Sequence, residues 1–262
     1  MSRRLPPPPP PSGPADEPPA PAGGRFPAWV NWTPRDVAVG LLVGLIGGFL
    51  FAPALVLPFD PDLSSDSALL AAQTLLSVTL TAVAIAVASG WKRVPLREVL
   101  PRLGFRRFSA DAIGWMFLMI VVYYVAAGLF AYFVLEPKQE DIGDALGVGD
   151  ETLLISILAV VLIAGLAPIA EETFFRGFVF GGLRTKMSLW PAALIAGLIF
   201  GSIHAPTGVT TVVPLAGLGV GLCWLYDKTN SLWPCVIAHA INNGLALAIA
   251  GSDSGFLHLP FA

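Results

Sequence analysis

The sequence predicts an all-α polytopic transmembrane helix bundle of about seven membrane helices, with an eighth, re-entrant piece at 169–186 as the open alternative. Three observations carry this expectation. Charged residues make up 13% of the 262 and hydrophobic ones 55%, whereas a soluble domain carries roughly twice that charge fraction. The mean hydropathy is +0.73. Several uncharged runs reach or approach the ~20 residues that cross a hydrocarbon core. The net charge of −3 says little about partners, because charge is sorted by loop.

Residues 1–28 are proline-rich without apolar periodicity, which reads as a disordered, partly polyproline tail. No apolar run follows Arg3 and Arg4, so no cleavable signal peptide is expected. Residues 29–149 read as the amino-terminal membrane helices with a basic loop, 150–251 as the membrane domain carrying the site, and 252–262 as a tail. The first membrane segment is about 37–57, with Pro53 inside it, and the second about 68–89. The turn between them holds Asp60, Asp62 and Asp66 and no base. The loop at 91–110 carries Lys92, Arg93, Arg97, Arg102, Arg106 and Arg107 against one acid, Glu98.

A third segment at about 111–135 leads to an acidic loop with Glu136, Glu140, Asp141, Asp144 and Asp150. The bias of basic residues places 91–110, and with it the amino terminus, in the cytoplasm. All seven tryptophans, Trp29, Trp32, Trp91, Trp115, Trp190, Trp224 and Trp233, fall near segment ends on that same side, as an interfacial belt would. A fourth, long segment begins at 152 and passes Pro168, where a break is open, toward Arg184 and Lys186. The remaining segments are about 190–204, 209–226 and 231–250. The expected location is the plasma (inner) membrane. Cys223 and Cys235 sit in or beside apolar segments and read as buried small hydrophobes rather than a disulfide or a metal pair.

Apart from histidines, this map leaves three ionisable groups well inside the membrane: Glu171, Glu172 and Arg176. A charge at the bilayer centre costs at least ~2.5–3.5 kcal/mol, so such groups point to function. Glu172 and Arg176 are four apart and share a helix face, which suits a salt bridge. Glu171 is turned ~100° away and lacks that partner. A stabilising network explains the pair but not the third group. A desolvated, unpaired carboxylate holds its proton more tightly than one in water, which suits a general base.

The chain has three histidines. His258 lies in the tail, whereas His204 and His239 lie in separate membrane segments, and Asn243 follows His239 by four residues on the same face. At 1.5 Å per residue, Glu171 lies about 20 Å above Arg184 and Lys186, His204 about 21 Å above Trp190, and His239 about 17 Å above Lys228. Three helices thus bring polar groups to one depth, provided that the fourth runs on through Pro168.

A carboxylate, two imidazoles and an amide in a low-dielectric cavity suit acyl-bond hydrolysis. Glu171 could take a proton from water and His204 could fix that water or a metal ion. His239 and Asn243 could hydrogen-bond the oxyanion. Glu171, His204 and His239 would also suffice for a divalent metal such as Zn²⁺ with an open position, although no H-E-x-x-H occurs. Other hydrolase types fit less well. The "GSDSG" at 251–255 is polar and near the chain end, a poor place for a membrane serine nucleophile. "GVGD" (147–150) and "YD" (226–227) have an aspartyl-protease look, but they stand in reversed order and on opposite sides of the membrane. Nothing supports Cys223 or Cys235 as a thiol nucleophile.

At these residues the sequence resembles the CPBP family of intramembrane proteases, which includes type II CAAX prenyl endopeptidases and bacteriocin-immunity (Abi-like) relatives. The family pattern is E-E-x-x-x-R, then F-x-x-x-H, then H-x-x-x-N/D. Here it reads "EETFFR" (Glu171, Glu172, Arg176), "FGSIH" (Phe200, His204) and "HAINN" (His239, Asn243). The resemblance covers roughly 150–250. It implies a membrane helix bundle in which Glu171 activates water, His204 assists, and His239 and Asn243 bind the oxyanion. Glu172, Arg176 and Phe200 would support them. It also implies an endopeptidase, of a metalloprotease type, acting near the membrane on an anchored, lipidated or CAAX-like peptide. The partners expected are that substrate and the bilayer, with no nucleic acid. Two other readings stay open: a non-proteolytic immunity or partner-binding protein with a structural polar cluster, and a proton-coupled transporter. Against the transporter, the chain shows no internal repeat.

Overall fold

The computed structural model describes residues 30–59, 65–90, 95–134, 153–205 and 209–253. Among them there are eight helices and no strand. The proline-rich tail, Trp29, Trp91, Lys92, Arg93, the acidic loop, "GVGD" and His258 lie outside the described residues.

Helix α1 (Pro34–Val56) starts where local chemistry dictates. Pro34 takes the first helical position, and the Asp36 carboxylate accepts the Thr33 backbone N–H at 2.7 Å. Helix α2 (Asp66–Ala88) is capped by Ser65, whose hydroxyl accepts from the Ala68 N–H. Then comes a short helix inside the basic loop, α3 (Leu96–Leu103), which ends on Gly104 at φ 102°, a left-handed value suited to glycine. The pattern is present in the sequence: Leu96, Val99, Leu100 and Leu103 repeat at helical spacing after Pro95 and before Gly104. A loop read only for its charge hides it. The eighth helix is therefore α3, and residues 169–184 are not a re-entrant piece.

Helix α4 is Asp111–Val134. Helix α5 runs without a break from 153 to 184, alternating α-type turns with wider π-type turns at Val161–Leu166 and Thr173–Phe180. Pro168 does not break it, because it sits at the start of the α-type turn that follows the first π stretch. Helices α6 (Leu189–Ser202), α7 (Val209–Thr229) and α8 (Trp233–Asp253) complete the bundle. Five helices are long and apolar enough to cross a membrane (α1, α2, α4, α5 and α7), and α6 and α8 are shorter apolar helices. The protein is an integral membrane protein.

Helix α5 is the axis of the bundle. From Ala170 to Leu183 every residue is buried, with Phe174, Phe175, Phe178 and Phe180 fully so. Helices α1, α2, α3, α6, α7 and α8 all pack against it. Trp32 is drawn in too: its indole N–H donates to the Phe178 carbonyl at 2.8 Å, and the ring is 2% exposed. It thus belongs to the core rather than to an interfacial belt, whereas Trp190 and Trp233 remain exposed. The tightest helix pair is α6 with α7. A Cβ on Gly201 would stand 2.4 Å from the Val212 carbonyl oxygen, and one on Gly197 2.8 Å from that of Ala216. This close backbone approach is how apolar helices associate in lipid, where burial alone gives little drive. It also fixes α6 at the depth that its far end requires.

Candidate active site

Glu171 and Glu172 lie at the centre of α5, so the surrounding helices, not solvent, must satisfy them. Glu172 is completely buried, and its Oε1 is the hub. It accepts from Arg176 Nη1 at 2.8 Å, one turn along α5, and from His239 Nδ1 on α8 at 2.8 Å. The first contact is the ion pair that the four-residue spacing predicts. The second joins residues 67 apart in sequence, and no local pattern announces it. Because a carboxylate only accepts, His239 Nδ1 carries a proton and its Nε2 turns toward Glu171.

Glu171 Oε2 stands 3.8 Å from that Nε2. Glu171 is therefore the acid outside the Glu172–Arg176 pair, as its position on the helix suggests. Phe200, on α6, is the apolar floor. The Arg176 guanidinium lies over its ring at 4.4 Å, and the rings of His204 and His239 pack on it at 4.9 and 5.6 Å. Among the described residues, Glu172 Oε2 and Arg176 Nε and Nη2 are buried and meet no hydrogen-bond partner, so the pair is held in a costly environment.

His204 does not lie within a membrane helix; it sits in the turn just past the end of α6. Its Nδ1 bonds the Phe200 carbonyl at 2.8 Å, satisfying a backbone oxygen that the helix end leaves open. A carbonyl can only accept, so Nδ1 donates, and in the neutral ring Nε2 is then the acceptor nitrogen.

Asn243 faces α5 from α8, one turn beyond His239. Its Nδ2 donates to the Ile163 carbonyl at 2.9 Å. The sequence explains why that oxygen is available. In the π stretch the Ala167 N–H bonds Leu162 O, five residues back. The next bond in that series would run from residue 168 to Ile163, and Pro168 has no N–H to give. The break anticipated at Pro168 is thus one missing bond, which an amide on a neighbouring helix replaces. The same amide group keeps a second N–H.

The structure thus links Glu171, Glu172, Arg176 and His239 in one network, packs Arg176, His204 and His239 on the Phe200 ring, and ties Asn243 to α5 through the Ile163 carbonyl. Among the described residues, no group of three or more His, Cys, Asp or Glu side chains is placed to hold a metal ion. Glu171 and His239 offer two donors, and the His204 ring packs on Phe200. The three-residue metal set expected of Glu171, His204 and His239 does not assemble, so no step is routed through a metal. Sequence reasoning missed Tyr124, whose hydroxyl donates to Asn242 Oδ1 at 3.1 Å beside Asn243. A tyrosine next to Tyr123 in an apolar helix that also carries Tyr132 gives no local signal of that contact.

A family model described as "Type II CAAX prenyl endopeptidase Rce1-like" matches residues 153–245, the span that holds every residue of this cluster. Among curated proteins, the chain is 27% identical over 155 residues to the "Putative membrane peptidase YdiL" of Bacillus subtilis, a match covering 56% of this chain and 61% of that relative. It is 29% identical over 177 residues to the UPF0177 protein YxdF of Lactococcus lactis, covering 65% and 93% respectively. To the uncharacterized protein YyaK of Bacillus subtilis it is 30% identical over 247 residues, covering 85% of this chain and 78% of that one. No solved structure matches. With that breadth of similarity added to the motif residues and the all-helical bundle, the chain belongs to the CPBP family, the membrane protease family of the Rce1-like type II CAAX prenyl endopeptidases.

Proposed function

We propose that the protein is an intramembrane endopeptidase that cleaves a membrane-anchored or lipidated, CAAX-like peptide by Glu171-activated water. The observation that carries this reading is the separation of roles between adjacent acids. Glu172 is committed to Arg176 and His239, while Glu171 Oε2 stands 3.8 Å from the other nitrogen of His239.

In this reading the Glu171 carboxylate takes one proton from a water whose second hydrogen bonds His204 Nε2. The water oxygen attacks the scissile carbonyl carbon, and the carbonyl oxygen becomes an oxyanion. With His239 as imidazolium, Glu171, Glu172, Arg176 and His239 sum to zero charge, the arrangement a low-dielectric interior favours. That form also gives His239 an Nε2–H to donate to the oxyanion, beside the second N–H of Asn243. On collapse, Glu171 returns its proton to the leaving amine, and the products are an amine and a carboxylic acid, which loses its remaining water-derived proton to solvent on release. The basic end of the bundle would face the cytoplasm, in accord with the bias of its charges.

The test compares protein termini in host cells carrying either the wild-type chain or Glu171→Gln at matched abundance. New termini next to membrane-anchored or lipidated segments, seen only with the wild type, would support the reading. Identical termini, with the deletion phenotype rescued by Glu171→Gln, would favour a second reading, a non-proteolytic immunity or partner-binding protein. The interhelical bonds made by Glu172 and Asn243 are the observation that favours that scaffold. Metal dependence is tested by chelation. Cleavage by the purified protein is expected to persist, because the donor set closes on two side chains.

A further inference from the structure

Outside the candidate active site, the most distinctive feature of the basic end is an open groove of about 560 Å³. It is lined by Phe105, Arg106, Arg107 and Phe108 from the segment between α3 and α4, and by Trp233 and Ile237 from the first turns of α8. We propose that this groove binds the headgroup of an anionic glycerophospholipid, with the acyl chain laid along the outer face of α8.

The groove is a built feature rather than a gap between loops. Gly104 turns the chain at φ 102°, and its carbonyl accepts the Leu232 N–H at 2.8 Å. The Ser231 hydroxyl donates to the Arg106 carbonyl at 2.7 Å, and Phe105 packs edge-on against Trp233 at 5.3 Å. The floor is therefore pinned to the start of α8 by two hydrogen bonds and an aromatic pair. Arg106 is anchored through Nε to the Pro101 carbonyl at 2.7 Å, which aims the guanidinium, while Arg107 is exposed.

The charge points to the ligand. Burial pushes the Arg106 guanidinium down to about 10, with only the nearby Tyr226 acting the other way. Burial leaves that charge poorly solvated, a phosphate beside it would compensate it, and two arginines can grip a phosphate through paired N–H donors. The walls point the same way. Trp233, Ile237, Ile241 and Leu245 recur every four residues, each more than a third exposed, and form one apolar stripe along α8 from the groove into the bilayer. Tryptophan and arginine at the mouth of such a stripe match the headgroup level of a membrane. A soluble anion would use the arginines but not the stripe.

The test uses the purified, delipidated full chain in detergent, offered equal amounts of phosphatidylglycerol and phosphatidylcholine with identical acyl chains. Native mass spectrometry reads the ratio of the two adducts. The wild type is expected to favour phosphatidylglycerol, and Arg107→Gln to lower that preference roughly fivefold. Arg106→Gln should lower it as well; if that variant fails to fold, the exposed Arg107 carries the test. Arg97→Gln, on α3 outside the groove, should leave the ratio unchanged. No preference in the wild type, or one that survives Arg107→Gln, overturns the proposal. An equal loss with Arg97→Gln overturns it too, since it would mean diffuse attraction. Displacement of the lipid by millimolar glycerol phosphate would assign the groove to a soluble phosphate instead.

Discussion

Two adjacent glutamates have opposite fates because a helix turns ~100° per residue. Glu172 points at Arg176 and His239 and is locked; Glu171 points at the face where His239 Nε2 waits. The two substitutions should therefore separate. Glu171→Gln is expected to lower cleavage by at least about 10²–10⁴-fold, the range of a lost general base, while thermal unfolding in detergent stays near wild type. Glu172→Gln removes a charge from a buried pair and leaves Arg176 uncompensated. Loss of about 3–5 kcal/mol is expected, read as a large fall in melting temperature and in folded yield. Equal stability of the two variants would mean that the pair does not hold the bundle.

Elements meet through the defects in their backbones. Pro168 and the π turn before it leave the Ile163 carbonyl without a partner on its own helix, and Asn243 supplies one from α8. Asn243→Ala should cost about 0.6 kcal/mol and at most about 1.7 kcal/mol, the range for polar contacts between membrane helices. In a Pro168→Ala background, where the helix can close its own bond, that cost should shrink. A double-mutant cycle on unfolding measures the coupling, and additivity of the two changes would sink the account. The α6–α7 crossing behaves differently, since backbone meets backbone there. Gly201→Val places carbon 2.4 Å from the Val212 carbonyl oxygen, so α6 must move and carry Phe200 and His204 with it. The expected result is loss of folded protein, or of cleavage in any that survives.

At the scale of the whole molecule, one buried helix carries Glu171, Glu172 and Arg176, and the others surround it, presenting apolar faces outward. Helix α4 is the extreme case: Phe117, Val121, Val125 and Tyr132 all face outward. The charge bias sets an expected orientation, with the basic end in the cytoplasm. Cys223 and Cys235 are both buried, so a cysteine introduced at exposed Ser109 can be labelled against a silent background. In intact cells an impermeant thiol reagent should miss it, and it should react once the membrane is opened. Labelling of intact cells would invert the topology and place the groove in the opposite leaflet.

Much of this was legible along the chain. Apolar run lengths gave the helices, because lipid imposes one length scale on every crossing. Glu172 and Arg176 announced their pairing by a four-residue spacing, and the shared depth of Glu171, His204 and His239 followed from the rise per residue. Helix α3 is also written there, in Leu96, Val99, Leu100 and Leu103, although the six basic residues of the same loop mask its apolar period. What the sequence could not contain was any relation without a local period. The bond from Glu172 to His239, the Asn243 amide on the Ile163 carbonyl, the inward turn of Trp32 and the groove beneath Trp233 all join segments that only packing brings together. Their geometry depends on how closely Gly197 and Gly201 let two backbones approach and on which oxygen Pro168 leaves free. Periodicity thus determined which faces are polar and how deep they lie, and tertiary packing decided which polar atoms are held and which remain to act.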